Sequence, residues 1–218
     1  MKSNKHTILY IHGMGGGSDS RIPSILNDYF SGQSFSECPV RVVCRTYSFD
    51  PEVAHSQIED WLEECRPDLI IGESLGSLQA LRIYDRPILL ISPALNTPFF
   101  FRILSWFIWI PGMAALFNRI YRPREGDRQT VSFTYSILKN YRPYVDVARR
   151  FLDSSSSEVF AFFGTRDHYR RSGVVSVRSW KKVFGNNFTL YDGTHFMEEE
   201  YIYSLLLPKI KSLLNIEM

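Results

Sequence analysis

The chain has 218 residues, 44% hydrophobic and 22% charged, with a formal net charge of +2 at pH 7. That length suits one domain with a substantial core, with or without a modest insertion, and the composition is that of an ordinary globular protein. A charge this close to neutral, without a long basic run, argues against nucleic acid as a partner. In chain order, a buried strand is expected over residues 7–11, ending in His12-Gly13 and the glycine loop Met14-Gly15-Gly16-Gly17. Residues 21–30 carry Ile22, Ile25, Leu26 and Phe30 at helical spacing, with Ser20 as N-cap and Pro23 in the first turn. A strand at 40–44 precedes a helix at 51–64, whose stripe is Val53, Ile58, Trp61 and Leu62. Next come an apolar run at 68–71, a helix at 77–83 and a strand at 87–92. Beyond a long middle stretch, the pattern gives a strand at 158–163, a helix at 174–184, an extended segment at 187–191 and a periodic helix at 198–214. The serines at 154–157 read as a loop.

Strands apolar on both faces that alternate with helices describe a mostly parallel central sheet covered on both sides, an α/β three-layer sandwich. One domain over residues 1–218 is expected. The segment at about 95–144 differs in character, holding 12 of the chain's 32 aromatic residues with no clear strand alternation. An insertion after a strand's carboxyl end overhangs the crevice where α/β sheets bind ligands, so a helical lid is expected; a homodimer interface or simple core is the other reading. Residues 103–118 are 16 in a row without a charge, interrupted by Pro111-Gly112. Spanning a bilayer takes about 20 residues, so no stable membrane span is expected. Cys38, Cys44 and Cys65 show neither a C-x-x-C nor a metal-ligand pattern and are expected as reduced thiols in a cytoplasmic protein. No apolar stretch precedes the first strand, which argues against a signal peptide. No metal and no cofactor is expected.

The most informative pattern is Gly72-Glu73-Ser74-Leu75-Gly76, between an expected strand and an expected helix. G-x-S-x-G in that setting is a nucleophile elbow. The chain reverses so sharply that the serine takes a positive φ, and at the two glycines strand and helix approach too closely for a side chain. A serine hydroxyl needs an imidazole as general base, and the imidazole needs a carboxylate to fix its tautomer and stabilise its cation. His195, in Asp192-Gly193-Thr194-His195-Phe196 after the last strand, is the expected base; His168 is the weaker candidate. Asp167, after Gly164-Thr165-Arg166 at the end of the preceding strand, is the expected acid, ahead of Asp192 and Asp146. Asp192 is expected to shape the turn that presents the histidine. The oxyanion needs two donors in place: the N–H of Leu75, and that of Met14, with Gly15 as the alternative. His12 is expected to brace its loop by hydrogen bonding.

Taken together, Tyr10-Ile11-His12-Gly13, the elbow, Gly164-Thr165-Arg166-Asp167 and Asp192-Gly193-Thr194-His195 resemble the α/β-hydrolase superfamily, in its chain order of serine, acid and histidine. With Ser92-Pro93-Ala94, the chain looks like a small bacterial esterase-like member with a reduced sheet. Ser77 stands where many members carry another glycine. The resemblance implies hydrolysis of a small-molecule ester or thioester through an acyl-enzyme. Acyl transfer by the same triad, or a non-catalytic protein that kept the fold, is the alternative. Phe99, Phe100, Phe101, Trp106, Phe107 and Trp109 are expected to line an apolar acyl site. Arg166, Arg170 and Arg171 read as solvated loop charges. A dinucleotide fingerprint fails at Ser18, and a phosphate-binding P-loop lacks its Gly-Lys-Ser/Thr.

Overall fold

In a computed structural model, residues 5–32, 39–121 and 125–216 are described. Six strands form one fully parallel sheet in the order β2-β1-β3-β4-β5-β6. They are β1 (His6–Ile11), β2 (Val40–Cys44), β3 (Leu69–Glu73), β4 (Ile88–Ile91), β5 (Val159–Gly164) and β6 (Phe188–Tyr191). Because side chains alternate across a strand, continuous apolar runs feed both faces at once. Ile8, Tyr10, Leu69, Ile71, Leu89 and Ile91 pack on one face, with α1 (Arg21–Phe30) and the C-terminal helix. Leu9, Ile11, Ile70, Ile88, Leu90 and Phe163 pack on the other, against α2 (Pro51–Cys65), α3 (Ser77–Ala80), α7 (Val147–Ser154) and α9 (Val177–Phe184). This is the three-layer arrangement expected of the sequence.

The sheet's order reverses between β1 and β3. Ile11 pairs with Gly72 there, so the loops after these two strands emerge side by side. Crevices outside the carboxyl ends of the strands at such a reversal are where open α/β sheets bind ligands.

Several local expectations are corrected. Ser20 precedes α1 with extended dihedrals, yet its hydroxyl makes no cap; it donates to the Gly17 carbonyl at 2.7 Å and accepts from the Gly17 N–H at 3.2 Å. The helix after the elbow ends at Ala80 rather than at 83, since Arg82 and Ile83 close tight turns to Gln79 and Ala80 ahead of β4. The expected helix at 174–184 begins at Val177, capped by Ser176, whose Oγ accepts from the Ser179 N–H at 3.1 Å. A short α8 (Tyr169–Ser172) precedes it and ends at Gly173, at φ +81°. The last helix is not regular. α10 (Glu199–Tyr201) passes through a π turn (Ile202–Leu206) into α11 (Leu207–Leu214). Pro208 has no N–H for the carbonyl four residues earlier, and a π turn is a common way round such a gap.

The segment at 95–144 is helical where described, with α4 (Thr97–Phe107), α5 (Met113–Ile120), α6 (Tyr135–Asn140) and a 3₁₀ turn at Arg142–Asp146. Gly112, at φ +85°, separates α4 from α5. Among the described residues, no helix is long and apolar enough to cross a membrane. Phe101 and Phe133 are buried with Phe49 and Tyr141, their ring centroids 4.9–6.1 Å apart. Phe117 and Asn118 of α5 tie back to the same cluster, Asn118 Oδ1 accepting from the Phe133 N–H at 2.8 Å. Cys44 and Cys65 are free thiols, and Cys38 lies outside the described residues.

Candidate active site

Ser74 follows β3 at φ +49°, a left-handed conformation that a side chain rarely adopts and that costs about 1–3 kcal/mol. The neighbouring glycines explain how the turn closes. A Cβ on Gly76 would lie 2.3 Å from the Ile11 carbonyl oxygen and 2.4 Å from that of His12; one on Gly72 would meet the Ala80 Cβ at 2.8 Å. Ser77 is fully buried and donates its hydroxyl to the Gly72 carbonyl at 3.4 Å, so the departure from glycine there is filled by a hydrogen bond. The Ala94 N–H holds the Ser74 carbonyl at 3.2 Å, pinning the elbow to the loop after β4.

The structure brings Ser74, His195 and Asp167 into one hydrogen-bonded chain. His195 Nε2 is 2.8 Å from Ser74 Oγ, and His195 Nδ1 is 2.8 Å from Asp167 Oδ2. His195 and Asp167 are both buried. Asp167 Oδ1 accepts the Tyr169 N–H at 2.8 Å, which leaves Oδ2 aimed at the imidazole. A carboxylate facing Nδ1 selects the tautomer with its proton there, so the Nε2 lone pair faces the serine hydroxyl. The loops carrying acid and histidine are stitched together: the Arg166 N–H donates to the Gly193 carbonyl at 2.9 Å and the Thr165 N–H to that of Tyr191 at 2.8 Å. Gly164 permits this approach, since a Cβ there would sit 2.2 Å from the Thr194 oxygen.

The competing candidates stand outside this hydrogen-bond chain, although the His168 ring centroid is 6.1 Å from that of His195. Asp192 has a 78% exposed side chain and pairs with Arg166 Nε at 3.2 Å, while accepting from Thr165 Oγ1 at 3.1 Å. Asp146 and His168 are exposed. Arg166, Arg170 and Arg171, with Thr165 and Asp167, line a surface pocket of about 290 Å³ that includes neither Ser74 nor His195.

On the β1 side, a Cβ on Gly13 would lie 3.1 Å from the Ser74 Cβ, so this loop runs against Ser74. The Gly15 N–H is taken by Gln129 Oε1 at 3.1 Å, whereas the Met14 N–H has no acceptor among the described residues. The Gly15 N–H is thus engaged where that of Met14 is open. His12 braces the loop, its Nδ1 2.8 Å from the Gly13 carbonyl and its ring stacked on Tyr47 at 4.2 Å. Burial pushes its pKa down to about 4, so it is neutral at physiological pH. The Tyr47 hydroxyl in turn donates to the His12 carbonyl.

Three residues that the sequence reading missed support this geometry. Gln129, buried in the middle segment, reaches back with Nε2 to the Tyr47 and Ser48 carbonyls at 3.2 Å each. Glu198 Oε1 accepts the Thr194 N–H at 2.9 Å and steadies the histidine loop. Glu73, inside the elbow, accepts the Tyr10 hydroxyl at 2.7 Å, and burial raises its pKa. Only Glu73 sits in a motif; Gln129 is placed by contacts 81–114 residues away, and Glu198 by a four-residue turn that no motif marks. Of the expected acyl-site aromatics, Phe99, Trp106, Phe107 and Trp109 are exposed and Phe100 is half-buried. The buried aromatic of α4 is Phe101.

No protein-family model matches the sequence, and no curated protein matches it. Solved structures do. The chain is similar to Est1E of Butyrivibrio proteoclasticus, solved with ferulic acid bound, at TM-score 0.57 and 17% identity over 94% of this chain and 89% of that one. A monoacylglycerol lipase of Paleococcus ferrophilus gives 0.54 and 19% over 96% and 94%. A structure from work on carboxylesterases of Nitrososphaera gargenis gives 0.54 and 16% over 98% and 93%.

Proposed function

We propose that this chain, which has the α/β-hydrolase fold, is a serine hydrolase that cleaves a carboxylic ester or thioester through an acyl-enzyme. The supporting observation is the continuous Ser74–His195–Asp167 hydrogen-bond chain, 2.8 Å at each link, at the crevice where the sheet order reverses. In this reading Ser74 Oγ attacks the substrate carbonyl as His195 Nε2 takes its proton, and Asp167 stabilises the resulting imidazolium. The N–H groups of Leu75 and Met14 receive the developing oxyanion, a contribution worth about 3–4 kcal/mol per donor in comparable sites. His195 then returns the proton to the departing alcohol or thiol. A water molecule, deprotonated by the same imidazole, attacks the acyl-enzyme and releases the acid.

Two similar folds carry printed names that are a monoacylglycerol lipase and carboxylesterases, which agrees with ester chemistry for this chain. The segment at 95–144 is read as a cap inserted after β4, since α4 starts three residues beyond the Ala94 N–H that binds Ser74. The experiment is a panel of nitrophenyl esters and acyl thioesters of increasing chain length, run on wild type beside Ser74→Ala. Turnover of at least one series that disappears in the variant is expected. Equal rates for both proteins across the panel would sink the proposal.

A further inference from the structure

α4 and α5 expose apolar surface that the core does not claim. On α4, Thr97, Pro98, Phe101 and Ser105 face inward and are buried. Phe99, Ile103, Trp106 and Phe107 sit at i, i+4, i+7 and i+8, which puts them on the opposite face. Trp106 is 76% exposed, and Trp109, just beyond the helix, is 72% exposed. Ile110, Leu116 and Ile120 extend the surface across the turn and along α5. Monomeric proteins rarely leave large apolar patches in water, and Trp106 and Trp109 are the most exposed of these side chains.

Charge decides what fits it. Between residues 97 and 121 there are two arginines, Arg102 and Arg119, and no Asp or Glu. Both arginines are exposed, and neither joins an ion pair among the described residues. A second copy of the chain is a poor occupant. A two-fold dimer presents the same patch from both sides, so arginine would face an interface without a carboxylate of this segment to meet it. Exposed tryptophans and exposed arginines in one segment suit the boundary between anionic headgroups and acyl chains. α4 has 11 residues and α5 has 8, so they lie along a surface rather than cross it.

We infer that the α4–α5 face docks on an anionic lipid surface, with Trp106 and Trp109 inserted at the headgroup boundary and Arg102 and Arg119 against lipid phosphates. This goes beyond the hydrolytic reading and does not rest on it. Docking here would hold the molecule by a segment that departs from the sheet beside Ser74, through the loop Ser92-Pro93-Ala94-Leu95-Asn96.

The test is co-sedimentation of the full chain with phosphatidylcholine vesicles, with and without about one-third phosphatidylglycerol, at low and high salt. Binding to the anionic vesicles that weakens with salt is expected. Removing charge in Arg102→Gln or Arg119→Gln should lower it roughly fivefold each. Trp106→Ser combined with Trp109→Ser should lower it by at least about tenfold, with circular dichroism confirming a folded protein. Wild type supplies a second readout, because Trp61 and Trp180 are buried in the core and brominated lipids would quench Trp106 and Trp109. No sedimentation with either vesicle, equal binding to both, or binding that survives the double substitution would each overturn the inference. So would a lipid-free dimer that the same substitution dissociates, which would assign this face to a second copy.

Discussion

Replacing Asp167 with Asn changes one atom in a nearly isosteric side chain, and the geometry sets what that atom must do. Asp167 has two committed acceptors: Oδ1 takes the Tyr169 N–H at 2.8 Å and Oδ2 takes His195 Nδ1 at 2.8 Å. An amide can serve only one of them. If its oxygen stays on Tyr169, its NH₂ faces Nδ1 and forces the proton to Nε2, so the imidazole points a donor at Ser74. If it flips, the tautomer survives but two N–H groups oppose each other at Tyr169, costing about 1–3 kcal/mol. Either way the carboxylate charge opposite the imidazolium is lost, and a hydrogen bond to a charged group is worth about 1.5–3 kcal/mol. The two contributions sum to about 2.5–6 kcal/mol, or roughly sixtyfold to ten-thousandfold in kcat at about 1.4 kcal/mol per decade. The assay is the initial rate on whichever panel ester wild type turns over fastest, with thermal melting as the control for folding. Asp192→Asn, at an exposed position, is the internal comparison and should change kcat by less than about threefold. A folded Asp167→Asn protein within tenfold of wild type would refute the reasoning, as would an equal loss from Asp192→Asn.

Further expectations follow from the loops around Ser74. Gly76→Ala puts a Cβ 2.3 Å from the backbone oxygen of Ile11, which cannot rotate away. The elbow should shift, with about 1–3 kcal/mol lost in a denaturant titration and a fall in kcat well beyond what that destabilisation explains. Gln129→Leu leaves the Gly15 N–H and the Tyr47 and Ser48 carbonyls without their partner, so both the melting temperature and kcat should drop although residue 129 is far from Ser74 in sequence. His12 gives a pH dependence. Its folded pKa of about 4 lies below the ordinary value of 6.5, so the unfolded chain binds more protons between those limits. Stability is therefore fully present above about pH 6.5 and is lost as pH falls toward 4, by about 3 kcal/mol from this group. His12→Asn, which can still donate to the Gly13 carbonyl, should flatten the slope of unfolding free energy over that window. An unchanged slope would contradict the assignment.

Much of the fold was legible because its signals are local. The runs at β1, β3 and β5 are apolar on both faces, and such runs fit little besides a covered parallel sheet. The elbow was legible because its glycines answer a steric demand within five residues: Gly72 against Ala80, Gly76 against the end of β1. His195 and Asp167 could be named as candidates because each lies in the loop that follows a strand's carboxyl end. What sequence could not give depends on how the folded chain brings groups together, near or far. Gln129 reaches Gly15 over 114 residues, and Glu198 is a brace only because the turn before it folds back. Ser20 looked like a cap, yet the Gly17 turn took its hydroxyl. The aromatics of α4 show the other limit. A helix with large apolar side chains on every side, whose threonine and serine face inward, gives no pattern by which to tell inner from outer face, so Phe101 inward and Trp106 outward could be read only in three dimensions.

The most direct measurement is covalent capture of the nucleophile. Wild type treated with a fluorophosphonate should gain one adduct by intact mass, mapped to the peptide that contains Ser74. Ser74→Ala should gain none, and His195→Ala should react far more slowly. Equal labelling of wild type and Ser74→Ala, or an adduct on any other serine, would contradict the account.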